Sequence, residues 1–156
     1  MTDITSKDVE AAQELWAIGV IEIGQAYRED GDFVARARDH IAKLYGYEAG
    51  PVVFKPTLSG EHQFRNTVDA ALSYFVGNNA AYPQDHGFAL RPWEAIRFEN
   101  SGIIPQGNTA LAMGNYYFRD YNGDEIKVEF SFGYVRSASG ALLINLHHSS
   151  LPHQAN

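Results

Sequence analysis

From Ile126 to Tyr134 every second residue is apolar: Ile126, Val128, Phe130, Phe132 and Tyr134. Side chains on a strand alternate between its faces, so this spacing turns one face to a core and the other outward. Just ahead stands Asn122-Gly123, a dipeptide that favours a tight hairpin turn, and ahead of that an extended run over residues 109–120. A chain holding this pair of runs is committed to an antiparallel sheet with one covered face.

The cover is expected from upstream. Thr5 or Ser6 can cap a first helix, and Val9, Ala12, Leu15 or Trp16, Gly19, Ile23 and Ala26 recur at helical spacing to about residue 28. Gly19 and Gly24 weaken that helix intrinsically and are expected where it packs closely on a sheet. Asp32 caps a second helix with Phe33, Val34, Ala37, Ile41 and Leu44 inward, and Gly46 stands as its C-cap. His40 reads as a partly exposed position on it. Residues 51–56 read as a short edge strand. The spacing predicts a third helix over 61–74, with Phe64, Val68, Ala71, Leu72 and Phe75 inward, closed by Gly77-Asn78-Asn79. Residues 78–92 read as a loop in which Asp85, His86 and Arg91 are solvated, with the Asp85-His86 pair a weak metal-binding signal as the alternative. Residues 94–100 alternate as a strand, and the last strand begins at Leu142. The order predicts an α+β domain spanning residues 1–156: a cone-shaped, curved antiparallel sheet with N-terminal helices packed on one face.

Composition narrows the function. A chain that is 45% hydrophobic and 13% aromatic is globular rather than disordered. A net charge of −7 argues against nonspecific binding to nucleic acid or an anionic membrane. With no cysteine there is no disulfide framework and no thiolate metal site, so manganese or zinc would have to be held by His and carboxylates alone. No HExxH, HxH, phosphate-cradling glycine loop or GxSxG elbow is present. No apolar run approaches a membrane span, and the first eight residues lack the order of a signal peptide, so the expected location is cytoplasmic.

The chemistry concentrates at the end of the last strand. Leu142-Leu143-Ile144 suits a buried strand, but His147-His148-Ser149-Ser150, stopped by Pro152, places two imidazoles and two hydroxyls side by side. Such groups can move protons and bind an oxyanion. His147 and Ser149 share a face with Asn145, whereas His148 and Ser150 share one with Leu142, Ile144 and Leu146. The more apolar face should be buried, which turns His148 and Ser150 inward. Lys55-Pro56-Thr57 adds a cation and a hydroxyl at a strand end, and Tyr74 adds a phenol at the end of the third helix.

Val53-Phe54-Lys55-Pro56-Thr57, Ser73-Tyr74-Phe75, Pro92-Trp93, Arg97-Phe98-Glu99-Asn100, Met113-Gly114-Asn115-Tyr116-Tyr117-Phe118 and His147-His148-Ser149-Ser150-Leu151-Pro152 occur in this order. Together they resemble the iota-class carbonic anhydrases, relatives of the calcium/calmodulin-dependent kinase II association domain and of nuclear-transport-factor-2-like cone folds. The resemblance implies reversible hydration of CO2 to bicarbonate and a homodimer; the family it points to holds both members that work without a metal and members described as manganese-dependent, and the metal-free route is the one expected here. The resemblance places the pocket on Thr57, Tyr74, Ser149 and His147, with Lys55, His148 and Ser150 in a second tier, and so selects the opposite strand face from the apolar count. With no metal to acidify the water, His147, near its ordinary pKa of ~6.5, is then the expected proton acceptor. Two other readings fit the composition. One is a non-catalytic cone-fold binding or oligomerisation module. The other is a cone-fold isomerase or cyclase, which needs a roomier pocket and an inward carboxylate, for which Glu129 is the candidate.

Overall fold

The computed structural model describes residues 2–155. Its first helix, α1 (Ser6–Arg28), begins at a reciprocal cap. Thr5 Oγ1 accepts from the Asp8 N–H, and the Asp8 carboxylate accepts from the Thr5 N–H. Two donors that a helix start leaves open are thereby satisfied, with a carboxylate at the positive end. The second helix, α2 (Phe33–Leu44), is capped by Asp32, whose side chain accepts from the Ala35 N–H. Its C-cap is Tyr45 and not Gly46. Tyr45 leaves the helix in an extended conformation and forms a parallel bridge with Ile144. The Gly46 N–H donates to the Ile144 carbonyl. The chain is thus pulled onto the last strand rather than turned away from it.

The helical glycines meet other partners than the expected sheet. Gly19 lies against the His40 ring of α2, and Gly24 against the Ala89 carbonyl. His40, expected to be partly exposed, is 5% exposed because α1 comes this close.

After β1 (Val53–Lys55), the third helix α3 covers Val68–Val76, shorter at its start than the predicted span. Thr67 caps it by accepting from the Ala70 N–H. Residues 61–66 do not join it. The buried Arg65 side chain folds back to donate to the His62 and Ala70 carbonyls, and Phe64 is exposed instead of inward. Gly77 and Asn78, both at positive φ, end α3 as expected. A 3-10 turn over Phe88–Leu90 follows.

Four long strands then form the meander: β2 (Trp93–Gln106), β3 (Thr109–Asp120), β4 (Glu125–Arg136) and β5 (Leu142–Ser150). The sheet order is β1-β5-β4-β3-β2, and it is open. β2 to β5 pair antiparallel, but β1 lies parallel to β5 with Phe54 opposite His147, so the sheet is mixed and not purely antiparallel. Its inner face carries Ala110, Ala112, Tyr116, Phe118, Val128, Phe130, Phe132 and Tyr134, packed with Val9, Trp16, Val20 and Ile23 of α1. Of the helices, none is long and apolar enough to cross a membrane among the described residues.

One irregularity decides the site. Between β4 and β5, Tyr134 pairs with Ile144 and Gly133 with Leu146, leaving Asn145 unmatched. An unmatched residue is a bulge, and it inverts the alternation beyond it. Ile144 faces the core, and so do His147 and Ser149, at 3% and 1% exposure. His148 is exposed on the outer face, where the Ser150 hydroxyl donates to the Glu129 carboxylate. Counting apolar residues along β5 selected the wrong face because the count crossed the bulge. Gly133 makes room for it: a Cβ there would stand 2.9 Å from Asn145 Oδ1.

Candidate active site

The carbonyl ends of β1 and β5 and the inner side of α3 converge on one small cavity. Thr57, Tyr74, His147 and Ser149 all line it, with Trp16, Phe54, Phe75, Phe88 and Tyr116 as aromatic walls. Its volume is about 10 Å³, the space a single water centre needs. Next to it lies an apolar vestibule of about 150 Å³, lined by Leu58, Trp93, Phe118, Val128 and Leu151. Thr57 and Phe88 line both spaces and so form the boundary between them.

The polar atoms make a continuous chain. The Trp16 Nε1–H donates to Tyr45 Oη at 3.0 Å, and Tyr45 Oη lies 2.8 Å from His147 Nδ1. On the other side of the ring, His147 Nε2 is 3.1 Å from Tyr116 Oη. Tyr116 Oη is 2.6 Å from Ser149 Oγ, which is 2.5 Å from Thr57 Oγ1. Tyr74 Oη accepts from the Leu58 N–H at 3.2 Å.

The imidazole of His147 lies between the rings of Phe54 and Phe132, with centroids 4.7 and 4.2 Å away. Burial there lowers its pKa well below the ordinary value, with His148 and His40 adding in the same direction. The sequence expectation of an imidazole near ~6.5 is therefore corrected: His147 is neutral at pH 7, and both its nitrogens are engaged. Burial also raises Tyr45, Tyr74 and Tyr116 above the ordinary phenol range. Every hydroxyl of the site is thus un-ionised at neutral pH.

Of the second tier, Lys55 donates from Nζ to the Ser149 carbonyl at 3.0 Å, tying β1 to the end of β5. Partial burial lowers its pKa. His148 and Ser150 face away from the cavity, for the reason of the bulge. Glu129 is exposed on the same outer face. Asp85 is not solvated as the loop reading had it. Its carboxylate takes a bidentate pair from Arg65 at 2.7 and 2.8 Å and the Ser73 hydroxyl at 2.5 Å, with both side chains at most 3% exposed. This clamp holds the segments on either side of α3 beneath Tyr74.

Trp16 and Tyr45 were not read from the sequence as site residues, and Tyr116 reads there as core rather than site. Its inward direction could have been read, since it shares a strand face with Ala110, Ala112 and Phe118. Tyr45 and Trp16 carry no local sign, because their partners are remote in the chain.

A larger groove of about 520 Å³ runs between α1, α2 and the β4–β5 turn. Its charges are paired with one another, as Arg36–Glu22, Lys43–Asp39 and Arg136–Asp8. It assembles no comparable set of hydroxyls, so size and chemistry point to different places and chemistry is the better guide. Among the described residues, no group of three or more His, Cys, Asp or Glu side chains is placed to hold a metal ion.

Solved structures share this architecture. A putative calcium/calmodulin-dependent protein kinase II association domain from Xanthomonas campestris superposes with a TM-score of 0.65 at 19% identity, over 98% of this chain and 91% of that one. At that identity the likeness defines the fold alone. An iota-carbonic anhydrase from a cyanobacterium, solved in complex with bicarbonate, superposes with a TM-score of 0.95 at 40% identity, over 98% of this chain and 95% of that one. The metal-independent carbonic anhydrase of Nostoc sp. (strain PCC 7120 / SAG 25.82 / UTEX 2576) is 40% identical over 154 residues, 97% of this chain and 75% of that protein. The family model for metal-independent carbonic anhydrases matches residues 7–151. The chain belongs to the metal-independent carbonic anhydrase family. Its reaction is the reversible hydration of CO2 to bicarbonate.

Proposed function

We propose that CO2 is hydrated at the boundary between the small polar cavity and the apolar vestibule, with Thr57 and Tyr74 as the groups that touch the reacting atoms and Ser149 as the group that orients Thr57. The observation that supports this most is that the three residues line one small space of about 10 Å³ beside an apolar space of about 150 Å³. The first suits a water and the second a small apolar gas. Neither reaches the few hundred Å³ usual for organic ligands, which disfavours an isomerase or cyclase. The relative solved with bicarbonate is consistent with the same substrate pair here.

No group facing the cavity is a strong base at neutral pH, so the hydroxyls act as bifunctional relays. As the water oxygen attacks the carbon, its proton passes to Thr57 Oγ1 while the Thr57 proton passes to an oxygen of CO2. The protein ends unchanged and the product is carbonic acid, which loses its proton to solvent on release. Tyr74 holds the oxygen where negative charge grows, Ser149 orients the Thr57 hydroxyl beside the reacting atoms, and the fixed geometry lowers the entropic part of the barrier. No step calls for a metal ion.

Stopped-flow CO2 hydration of Thr57→Val and Ser149→Ala tests this, on protein treated with chelator and assayed for metal. Loss of about 100-fold in kcat per removed hydroxyl is expected. A folded Thr57→Val protein with parental activity would refute the relay.

The chain is further proposed to act as one domain, since residues from Ile4 to Ile144 share a single buried apolar cluster. A homodimer is proposed through the outer sheet face. Val53, Leu146, Gly133, Leu111 and Ile104 stand in register across all five strands, and the four side chains among them are 37–62% exposed. An apolar row of that length suits a second copy. Sedimentation of Leu111→Glu should show monomers where the parent shows dimers; a monomeric parent would remove the proposal. A cytoplasmic setting is proposed from the acidic, cysteine-free composition.

A further inference from the structure

We infer that Trp16 and Tyr45 are positioning residues that fix the tautomer of His147 and, through it, the direction of the hydrogen-bond chain that ends at Thr57. This rests on the relay proposed above, but its evidence is separate.

An indole N–H can only donate. Trp16 Nε1 lies 3.0 Å from Tyr45 Oη, so the phenol oxygen accepts there. Tyr45 is 2% exposed, and His147 Nδ1 at 2.8 Å is the other polar neighbour of its hydroxyl. The Tyr45 proton therefore points to Nδ1, which must accept. A neutral imidazole carries one N–H, and it falls on Nε2. With the proton on Nδ1 instead, Tyr45 would receive two donors and its own buried O–H would have no acceptor. The loss of one buried hydrogen bond biases the equilibrium roughly ten-fold or more.

The consequence runs on without a branch. His147 Nε2–H donates to Tyr116 Oη at 3.1 Å. The Tyr116 proton turns to Ser149 Oγ at 2.6 Å, and the Ser149 proton to Thr57 Oγ1 at 2.5 Å. Thr57 keeps its own proton for whatever occupies the cavity. Tyr74 accepts from the Leu58 N–H, and its hydroxyl lies beside that of Thr57 in the same cavity. An indole more than 100 positions upstream of Ser149 in the chain thus sets whether the site greets its substrate with donors or acceptors. In the orientation found, Thr57 donates to a CO2 oxygen and takes up the proton of the water in one concerted exchange. Burial of the imidazole between two phenyl rings keeps it neutral, so the tautomer is well defined across the working pH range.

The test is 15N-detected NMR of histidine-labelled protein, reading which ring nitrogen of His147 is protonated, combined with CO2 hydration kinetics of Tyr45→Phe and Trp16→Phe. Nε2–H in the parent is expected at pH 7. In Tyr45→Phe the Nδ1 partner is gone, and a mixture of tautomers with a roughly ten-fold lower kcat and little change in KM is expected. Trp16→Phe frees Tyr45 to reorient and should move both readouts the same way. Nδ1–H in the parent protein overturns the inference without any variant. So does a Tyr45→Phe protein with parental tautomer and parental kcat. If the parent shows Nε2–H but Thr57→Val retains full activity, the relay fails while the assignment of the tautomer stands.

Discussion

The Tyr116 hydroxyl stands 2.6 Å from Ser149 Oγ, and each residue is 1% exposed. Among the described residues, Tyr116 links the imidazole to the cavity hydroxyls. Removing its oxygen leaves His147 Nε2 without a partner and lets the Ser149 proton turn away from Thr57. Tyr116→Phe keeps the ring and its packing against Trp16 and Phe130. Stopped-flow hydration should show kcat lowered about ten-fold or more, with the thermal midpoint little changed. Unchanged kcat would mean that the chain between His147 and Ser149 has no bearing on turnover.

Asp85→Asn should cost far more stability than any surface charge change. It leaves the Arg65 guanidinium buried without its carboxylate, and breaking such a pair costs roughly 3–5 kcal/mol. The exposed pair Lys43–Asp39, by contrast, is worth about 0.5 kcal/mol or less. Urea unfolding of Asp85→Asn and Asp39→Asn should separate the two by several-fold. The double variant Arg65→Met with Asp85→Leu should recover part of the loss, because no lone charge is then left inside.

Gly19→Ala should destabilise although alanine is the better helix former by about 1 kcal/mol. The added methyl collides with the His40 ring, and α1 and α2 would have to move apart. A net loss of about 1–3 kcal/mol is expected from overpacking, read as a lower urea midpoint. Gly19→Ala combined with His40→Ala should regain much of it. A single variant more stable than the parent would show that this contact yields at no cost.

Mild acid should weaken the fold through its buried imidazoles. Burial pushes His40 down to about 4 from 6.5, with Asp39 opposing, and burial lowers His147 as well. Both folded values lie below the unfolded one, so the unfolded chain takes up protons first as pH falls. Stability is then full above pH 6.5 and declines below it. His40 alone accounts for a loss of about 2 kcal/mol at pH 5 and about 3 kcal/mol at pH 4. Asp8, held below 3.8 chiefly by the Thr5 backbone N–H, adds its loss only at lower pH. Urea midpoints at pH 7 and pH 5 check this; equal midpoints would contradict the burial of both rings.

Local patterns placed most of the elements. The cap at Thr5, the cap at Asp32, the Asn122-Gly123 turn and the alternation from Val128 to Tyr134 each depend on neighbours a few residues away. Each is where it was expected. Thr57, Tyr74, His147 and Ser149 were found through their likeness to a family, and the cavity brings all four together. The errors share one cause. His40 and Asp85 were given to solvent because their partners are remote in sequence. The third helix was started too early because Arg65 looks, locally, like any exposed helical residue.

The amino-acid order by itself determined the helix and strand periods, the turns, the lack of thiolate chemistry and the acidic surface, since these follow from short-range sterics and from counting. Only the tertiary structure decided which face of β5 looks inward. That choice rests on one unmatched residue, Asn145, opposite a glycine two strand partners can close around, and a pairing register is a property of two strands and not of one. It also decided that the imidazole of His147 is buried and neutral. An imidazole's affinity for protons depends on the rings and hydroxyls packed round it, and those come from α1, α2, β1, β3 and β4 at once.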